Sequence, residues 1–174
     1  FSGATGYKIG VPQMQKSAFS RLSNKSKTKK LLGDTCDTKV LICSHDFFDA
    51  AHSYGKNFFP DFYEWVIFLG EMSNKTNYEW YIKTHPPLKG KFERYQKFSV
   101  DVVDEIVKKY PKIKKIPPET SHLKLIKEGI NVVLTVFGTV ATEYSFFKIP
   151  VINASLNNPH AKYNFSITPK SYYD

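Results

Sequence analysis

Short apolar runs alternate along the chain with longer segments in which apolar residues recur at the period of a helix. Each run has the length of a buried strand, and most runs end at polar residues, Gly or Pro, as buried parallel strands do. The pattern therefore predicts five strands, over residues 40–43, 78–83, 112–116, 132–136 and 150–153.

The segments between these runs carry the apolar stripes of amphipathic helices. Pro60 and Asp61 are predicted to open the first helix, and Pro111 to close the second. Ser121 is a candidate N-cap for the third helix, which Gly129 ends. The residues of the three stripes are Phe62, Trp65, Val66, Leu69 and Met72, then Val100, Val103, Ile106 and Val107, then Leu123, Leu125 and Ile126.

The resulting order, β-α-β-α-β-α-β-α-β, predicts an α/β fold. We expect a Rossmann-like, three-layer α/β/α domain over residues 38–174, with helices on both faces of a parallel sheet of about five to six strands. Residues 1–37 are rich in Gly, Ser, Lys and Thr and show little periodicity. They are expected to form a linker or the tail of a missing N-terminal domain, so that the chain is a piece of a longer protein.

The charge of the chain suggests a polyanionic partner, because 25 basic against 16 acidic residues give a net charge of +9. Six of these charges come from the acid-free stretch between Lys16 and Lys30, and only Arg21 and Arg94 are arginine. Since arginine is the side chain that reads guanine edges, the composition argues against nucleic acid as a partner. The lysine clusters indicate either a solvated face or peripheral contact with an anionic membrane.

Cellular location is suggested only by what the sequence lacks. No apolar run approaches the roughly 20 residues that a membrane-spanning helix needs. Cys36 and Cys43 have no histidines at metal-ligand spacing, so these two cysteines predict neither a disulfide framework nor a zinc site. The expected location is the cytoplasm, with the inner membrane face as the place of any peripheral contact.

Candidate binding residues follow the fourth predicted strand, because ligands of parallel α/β sheets bind beyond the carboxyl ends of the strands. Gly138 allows close approach of a ligand, Thr139 offers a hydroxyl, and the start of a helix that ends at Phe147 suits a phosphate. Glu143 can accept ribose hydroxyls from one turn later. The same residues also fit an ordinary turn with a capping Thr and a surface acid. No Gly-x-Gly-x-x-Gly or Walker lysine motif supports dinucleotide binding or ATP hydrolysis.

A second candidate group, Lys83, His85 and Pro86, ends the second predicted strand. Pro86 restricts His85 to an extended conformation, which directs the imidazole away from the sheet. The imidazole can then bind a phosphate oxygen or protonate a leaving phosphate. A turn histidine bonded to backbone is the alternative interpretation.

Four candidate catalytic residues follow the first predicted strand, and they are His45, Asp46, Asp49 and His52. Their spacing allows one helical face to carry Asp46 with Asp49, and Asp49 with His52. A carboxylate beside a histidine orients a general base and raises its pKa. Metal binding and a structural role are the alternatives. Of the other histidines, His160 is a weaker candidate, and His122 is expected to be solvent-exposed or to start a helix.

Together these residues resemble the C-terminal donor-binding half of GT-B glycosyltransferases. The resemblance is closest to bacterial capsule and surface-polysaccharide transferases, including Kdo- and sialyltransferase-like enzymes with a His-Pro motif. The segments that carry it are residues 45–52 (HDFFDAAH), 83–86 (KTHP), 135–143 (TVFGTVATE) and 148–152 (KIPVI).

The resemblance implies an enzyme that transfers a sugar from a CMP- or UDP-linked donor to a glycan or lipid-linked acceptor, without a tightly bound cofactor. It implies that His85, Gly138 and Thr139 contact the donor phosphate and that Glu143 lies near the ribose or sugar. Gly138-Thr139 departs from the family's Ser-Thr or Ser-Ser pair. Without its N-terminal domain the piece is expected to be inactive. Alternatives are a nucleotide-sugar epimerase or glycerophosphate transferase of the same fold, or a non-enzymatic polyanion-binding module.

Overall fold

The computed structural model describes residues 30–35, 37–51, 55–85 and 93–171. Within them, the strands are β1 Lys39–Cys43, β2 Glu79–Lys83, β3 Ile113–Ile116, β4 Val132–Thr135 and β5 Val151–Asn153. All five are parallel and form one sheet in the order β3-β2-β1-β4-β5. The predicted strands and the α/β fold class are therefore confirmed.

Three of the four helices of the described residues follow the predicted apolar stripes, and the fourth follows Gly138 and Thr139 as predicted. The helices are α1 Phe62–Lys75, α2 Glu93–Lys109, α3 His122–Lys127 and α4 Val140–Phe146. Asp61 caps α1, since its side chain accepts a hydrogen bond of 2.8 Å from Glu64 N. Ser121 holds the N-cap position of α3 but makes no capping bond through its side chain. No helix in the described part of the chain combines the length and apolar character that crossing a membrane requires.

Alternating strand residues build a separate core on each face of the sheet. Val40 and Ile42 of β1 face α1 and α2 and pack with Trp65 and Val103. Leu41 faces the opposite way, toward α3 and α4, in a second cluster of buried residues that includes Tyr81, Leu125, Val133, Tyr144 and Leu32. The two cores produce the predicted three-layer arrangement of helices, sheet and helices.

The strand order fixes where the chain changes direction across the sheet. From the central β1 the chain builds outward through β2 and β3, and it then crosses back to add β4 and β5 on the other side of β1. The loops after β1 and β4 therefore diverge between neighbouring strands, which is the topological switch point at which such sheets bind ligands.

One local prediction is wrong, and another holds in one of its two alternatives. Residues 46–51 form a turn closed by a 2.9 Å bond from Asp49 N to Asp46 O, so these acids do not share a helical face. His122 begins α3 as one alternative stated, but it is 6% exposed, so the solvent-exposed alternative fails. Of residues 1–37, predicted as a linker or tail, residues 1–29 with most of the lysine-rich stretch and Cys36 lie outside the described residues, whereas Leu32 packs in the second core.

Candidate functional site

His45 joins the two loops that meet at the switch point. Its Nε2 lies 3.4 Å from the backbone nitrogen of Phe137 and 3.3 Å from Thr135 Oγ1. Thr135 ends β4, and Phe137 lies in the loop that follows it. The N–H of Gly138 donates to the same Thr135 hydroxyl over 3.2 Å. Because Phe137 donates to Nε2, the proton of the neutral ring belongs on Nδ1. The network ties the loop after β1 to the loop after β4.

Aromatic packing keeps His45 neutral. Its ring stacks on Phe62 with centroids 4.6 Å apart and also contacts the ring of Phe137 at 4.6 Å. Burial lowers the pKa of His45 to about 4, although the negative charge of Asp49 opposes that change. At neutral pH the imidazole is therefore an uncharged hydrogen-bond acceptor at Nε2. This arrangement favours a positioning role, and a catalytic role for His45 stays a prediction.

Gly138 lies against this network without room for a side chain. A Cβ added there would come within 2.7 Å of Thr135 Oγ1 and 3.8 Å of His45 Cε1. Glycine was predicted here because it lets a ligand approach the backbone. The structure adds a second reason, since any larger residue would displace the hydroxyl that connects Gly138 with His45.

The turn into α4 offers fewer donors than a long helix would. The N–H groups of Ala141, Thr142 and Glu143 are already bonded to the carbonyls of Gly138 and Thr139. Of the described donors in this turn, those of Thr139 and Val140 remain without an acceptor.

Thr139 holds the N-cap position of α4 but does not cap the helix. Its exposed side chain makes no capping hydrogen bond, so the hydroxyl can serve a ligand. The turn therefore presents two N–H groups and one hydroxyl, on a helix of only seven residues.

Lys83 and Glu143 bring opposite charges together on the α4 side of the sheet. Lys83 is the last residue of β2, paired in register with Cys43, and is only 3% exposed. Burial raises the pKa of half-buried Glu143 to about 7, and the nearby Lys83 opposes that rise. Burial also raises the pKa of the Cys43 thiol to about 12. Glu143 is thus not the simple surface acid of the alternative interpretation, and Lys83 is a buried cation beside the site.

His85 and Asp46 lie near each other on the α2 side. The exposed His85 places its Nδ1 3.4 Å from Gln96 Nε2, and the positive charge it can carry lowers the pKa of Asp46. Burial has the larger effect and raises the pKa of Asp46 above its ordinary value, with help from Asp49. The turn of residues 46–51 is held to α2 by a 2.9 Å hydrogen bond from Phe47 N to Ser99 Oγ.

The structure brings together most of the sequence-predicted site residues at one edge. His52 and Pro86 lie outside the described residues. Sequence reasoning missed Thr135, Gln96 and Ser99. The last two precede Val103 on the buried face of α2, so two polar residues on an otherwise apolar stripe were a signal that could have been used.

The remaining described histidines have different environments. His122 Nδ1 lies 2.8 Å from Tyr144 Oη, and burial lowers the pKa of His122 to about 3. His160, which follows β5, packs against the first turn of α4, with Nδ1 3.5 Å from Thr142 Oγ1. His122 therefore belongs to the interior, whereas His160 reaches the candidate site.

The candidate site contains no evident metal-binding group. Within residues 30–35, 37–51, 55–85 and 93–171, no cluster of three or more His, Cys, Asp or Glu side chains is arranged to hold a metal ion. No protein-family model, curated protein or solved structure matches the chain.

Proposed function

We propose that the carboxyl edge of the sheet binds a nucleotide-sugar and that the chain is the donor-binding domain of a glycosyltransferase of the GT-B type. The observation that carries the proposal is the switch point itself, where His45, Thr135 and Gly138 link the two diverging loops. In parallel α/β sheets this place is where ligands bind. The resemblance of the four sequence segments supplies the ligand class.

The charges at the edge suit a phosphorylated ligand. Lys83 ends β2 and His85 lies two residues later, and the turn into α4 adds the N–H groups of Thr139 and Val140 with the Thr139 hydroxyl. These groups can share the negative charge of the donor phosphate and of the leaving nucleotide. Glu143, whose pKa is about 7, can hydrogen-bond ribose or sugar hydroxyls in either protonation state.

The transfer itself requires a base for the acceptor hydroxyl. As that oxygen bonds to the anomeric carbon, the bond from this carbon to the phosphate oxygen breaks, and the phosphate leaves with the electron pair. The hydroxyl proton passes to the base. Asp46 and Asp49 are the described candidates, and burial raises the pKa of the Asp46 carboxyl group above its ordinary value.

A thermal-shift series with UDP, CMP and inorganic phosphate tests the proposal. A nucleotide is expected to raise the melting temperature, and His85→Ala and Thr139→Ala are expected to abolish the rise. Thr38→Ala, at the opposite edge of the sheet, is the matched control and should leave the rise intact. The donor-site proposal is wrong if neither nucleotide shifts melting, or if the control loses the shift as fully as Thr139→Ala.

A further inference from the structure

A loop of residues 156–166 leaves the end of β5 and returns to run beside that strand. We refer to these residues as the β5 loop. Asn158 closes the loop by donating to Ser155 O over 2.7 Å and to Thr168 Oγ1 over 3.1 Å. Ile167 N then donates to Val151 O over 2.8 Å. Because both ends are hydrogen-bonded to the sheet region, the side chains of the β5 loop have defined positions relative to the candidate site.

His160 in the β5 loop packs on the turn into α4. Its Nδ1 lies near the Thr142 hydroxyl, whereas its Nε2 is buried and has no hydrogen-bond partner among the described residues. Burial lowers the pKa of His160, and the nearby backbone of Gly138 opposes part of that change. One end of the β5 loop therefore adjoins the proposed phosphate site.

Two exposed aromatic rings continue outward from His160. The ring of Phe165 lies 5.7 Å from that of His160, and Tyr163 stacks on Phe165 at 5.7 Å with an angle of 13° between the ring planes. Tyr163 is 60% exposed and Phe165 is 38% exposed. The β5 loop thus presents a flat apolar surface to solvent, separated from Gly138 by a single imidazole.

We propose that Tyr163 and Phe165 form a stacking platform for the nucleobase of the bound nucleotide. The phosphate then lies at Gly138 and Thr139, and the His160 ring lies between phosphate and base. This inference rests on the proposed function, because it extends outward from the same phosphate site. A nucleobase fits these rings because every base has a planar π system that stacks on aromatic side chains.

The test compares ligands with and without a base by isothermal titration calorimetry. UMP, CMP and AMP are expected to bind roughly tenfold more tightly than ribose 5-phosphate, which is the advantage that one stacked base provides. Replacing Phe165→Leu together with Tyr163→Leu removes the rings but keeps apolar bulk. In that variant the advantage should disappear, while binding of ribose 5-phosphate remains as in the unmodified chain.

The matched control is Tyr78→Leu, since Tyr78 is 48% exposed but precedes β2 at the opposite edge of the sheet. It should retain the full advantage of nucleotides over ribose 5-phosphate. The platform is overturned if ribose 5-phosphate binds the unmodified chain as tightly as the nucleotides, or if the double variant keeps the advantage. Either result leaves the phosphate site standing, whereas absence of binding by every phosphate compound overturns the proposed function as well.

Discussion

At the amino edge of the sheet, the Glu128 carboxylate accepts hydrogen bonds from the backbone of Leu31 and Leu32, whereas at the carboxyl edge the Thr84 hydroxyl is buried without a partner. The same contrast holds more widely. Among the described residues, six buried side-chain atoms make no hydrogen bond, and all but the Ser145 hydroxyl lie at or beyond the carboxyl ends of strands. The amino edge satisfies its polar groups internally, and the carboxyl edge does not.

The pKa values of the acidic side chains also differ between the two edges. Hydrogen bonds lower the pKa of Glu79 and Glu128 at the amino edge, because they stabilise the charged carboxylates. Burial raises the pKa of Glu143 and Asp46 at the carboxyl edge. Native structures rarely leave buried polar groups unpaired, so their concentration at the carboxyl edge supports the proposal that the binding site lies there.

The largest expected effect comes from removing an acceptor at the amino edge. Glu128→Ala leaves two backbone N–H groups without their charged partner and should lower the free energy of unfolding by about 2–3 kcal/mol. Urea denaturation measures the loss. Glu119→Ala, which truncates an exposed acid, is the control and should change stability by less than about 0.5 kcal/mol. Equal losses in the two variants would remove the contrast between the edges.

At the carboxyl edge, the half-buried carboxyl group of Glu143 should make the folded chain less stable as pH rises. The folded-state pKa of Glu143, about 7, lies above its ordinary value of 4.5, so the stability it confers is complete below pH 4.5 and lost as pH rises through 7. The loss by pH 8 should be about 1–2 kcal/mol, since the side chain is partly solvated. Glu143→Gln should remove this loss and leave the opposite change, a gain in stability as pH rises through 6.5, that the lowered pKa values of His45 and His122 produce.

Urea midpoints at pH 5.5 and pH 8 measure the slope, and Glu79→Gln is its control. The pKa of Glu79 is lowered, so its contribution is present above pH 4.5 and lost only as pH falls further. Glu79→Gln should therefore keep the slope of the unmodified chain between the two pH values. The assignment to Glu143 fails if Glu143→Gln retains that slope.

The sequence was sufficient for the elements but not for the contacts between them. Strand ends could be located from the apolar runs, and the ends of parallel strands share an edge, so His45, His85 and Gly138 were expected near one another. The bond from His45 to Thr135 joins residues 90 positions apart, and no local pattern reports it. The turn at Asp46 was missed for the same reason, because Phe47 is held by Ser99 from 52 residues away.

Gly129 lies at the amino edge and Gly138 at the carboxyl edge, and replacing either one with Ala should destabilise the chain by a similar amount. Gly129, before β4, has φ of +95° and nothing near its absent Cβ, so Gly129→Ala should cost about 1 kcal/mol through backbone strain. Gly138→Ala should cost about 1 kcal/mol by crowding Thr135 Oγ1. Only Gly138→Ala is expected to abolish the nucleotide-dependent rise in melting temperature. Loss of that rise in Gly129→Ala would show that it reports stability alone.

The smallest expected effect is a pair of Thr→Val substitutions of opposite sign. Thr84→Val removes a buried hydroxyl that has no partner and keeps the side-chain shape, so it should stabilise the chain by about 0.5 kcal/mol. Thr35→Val removes the hydroxyl that donates to Glu79 at the amino edge and should cost about 0.5 kcal/mol. Urea midpoints distinguish the two. If Thr84→Val destabilises as Thr35→Val does, the Thr84 hydroxyl already has a partner, and the contrast between the two edges loses one of its unpaired groups.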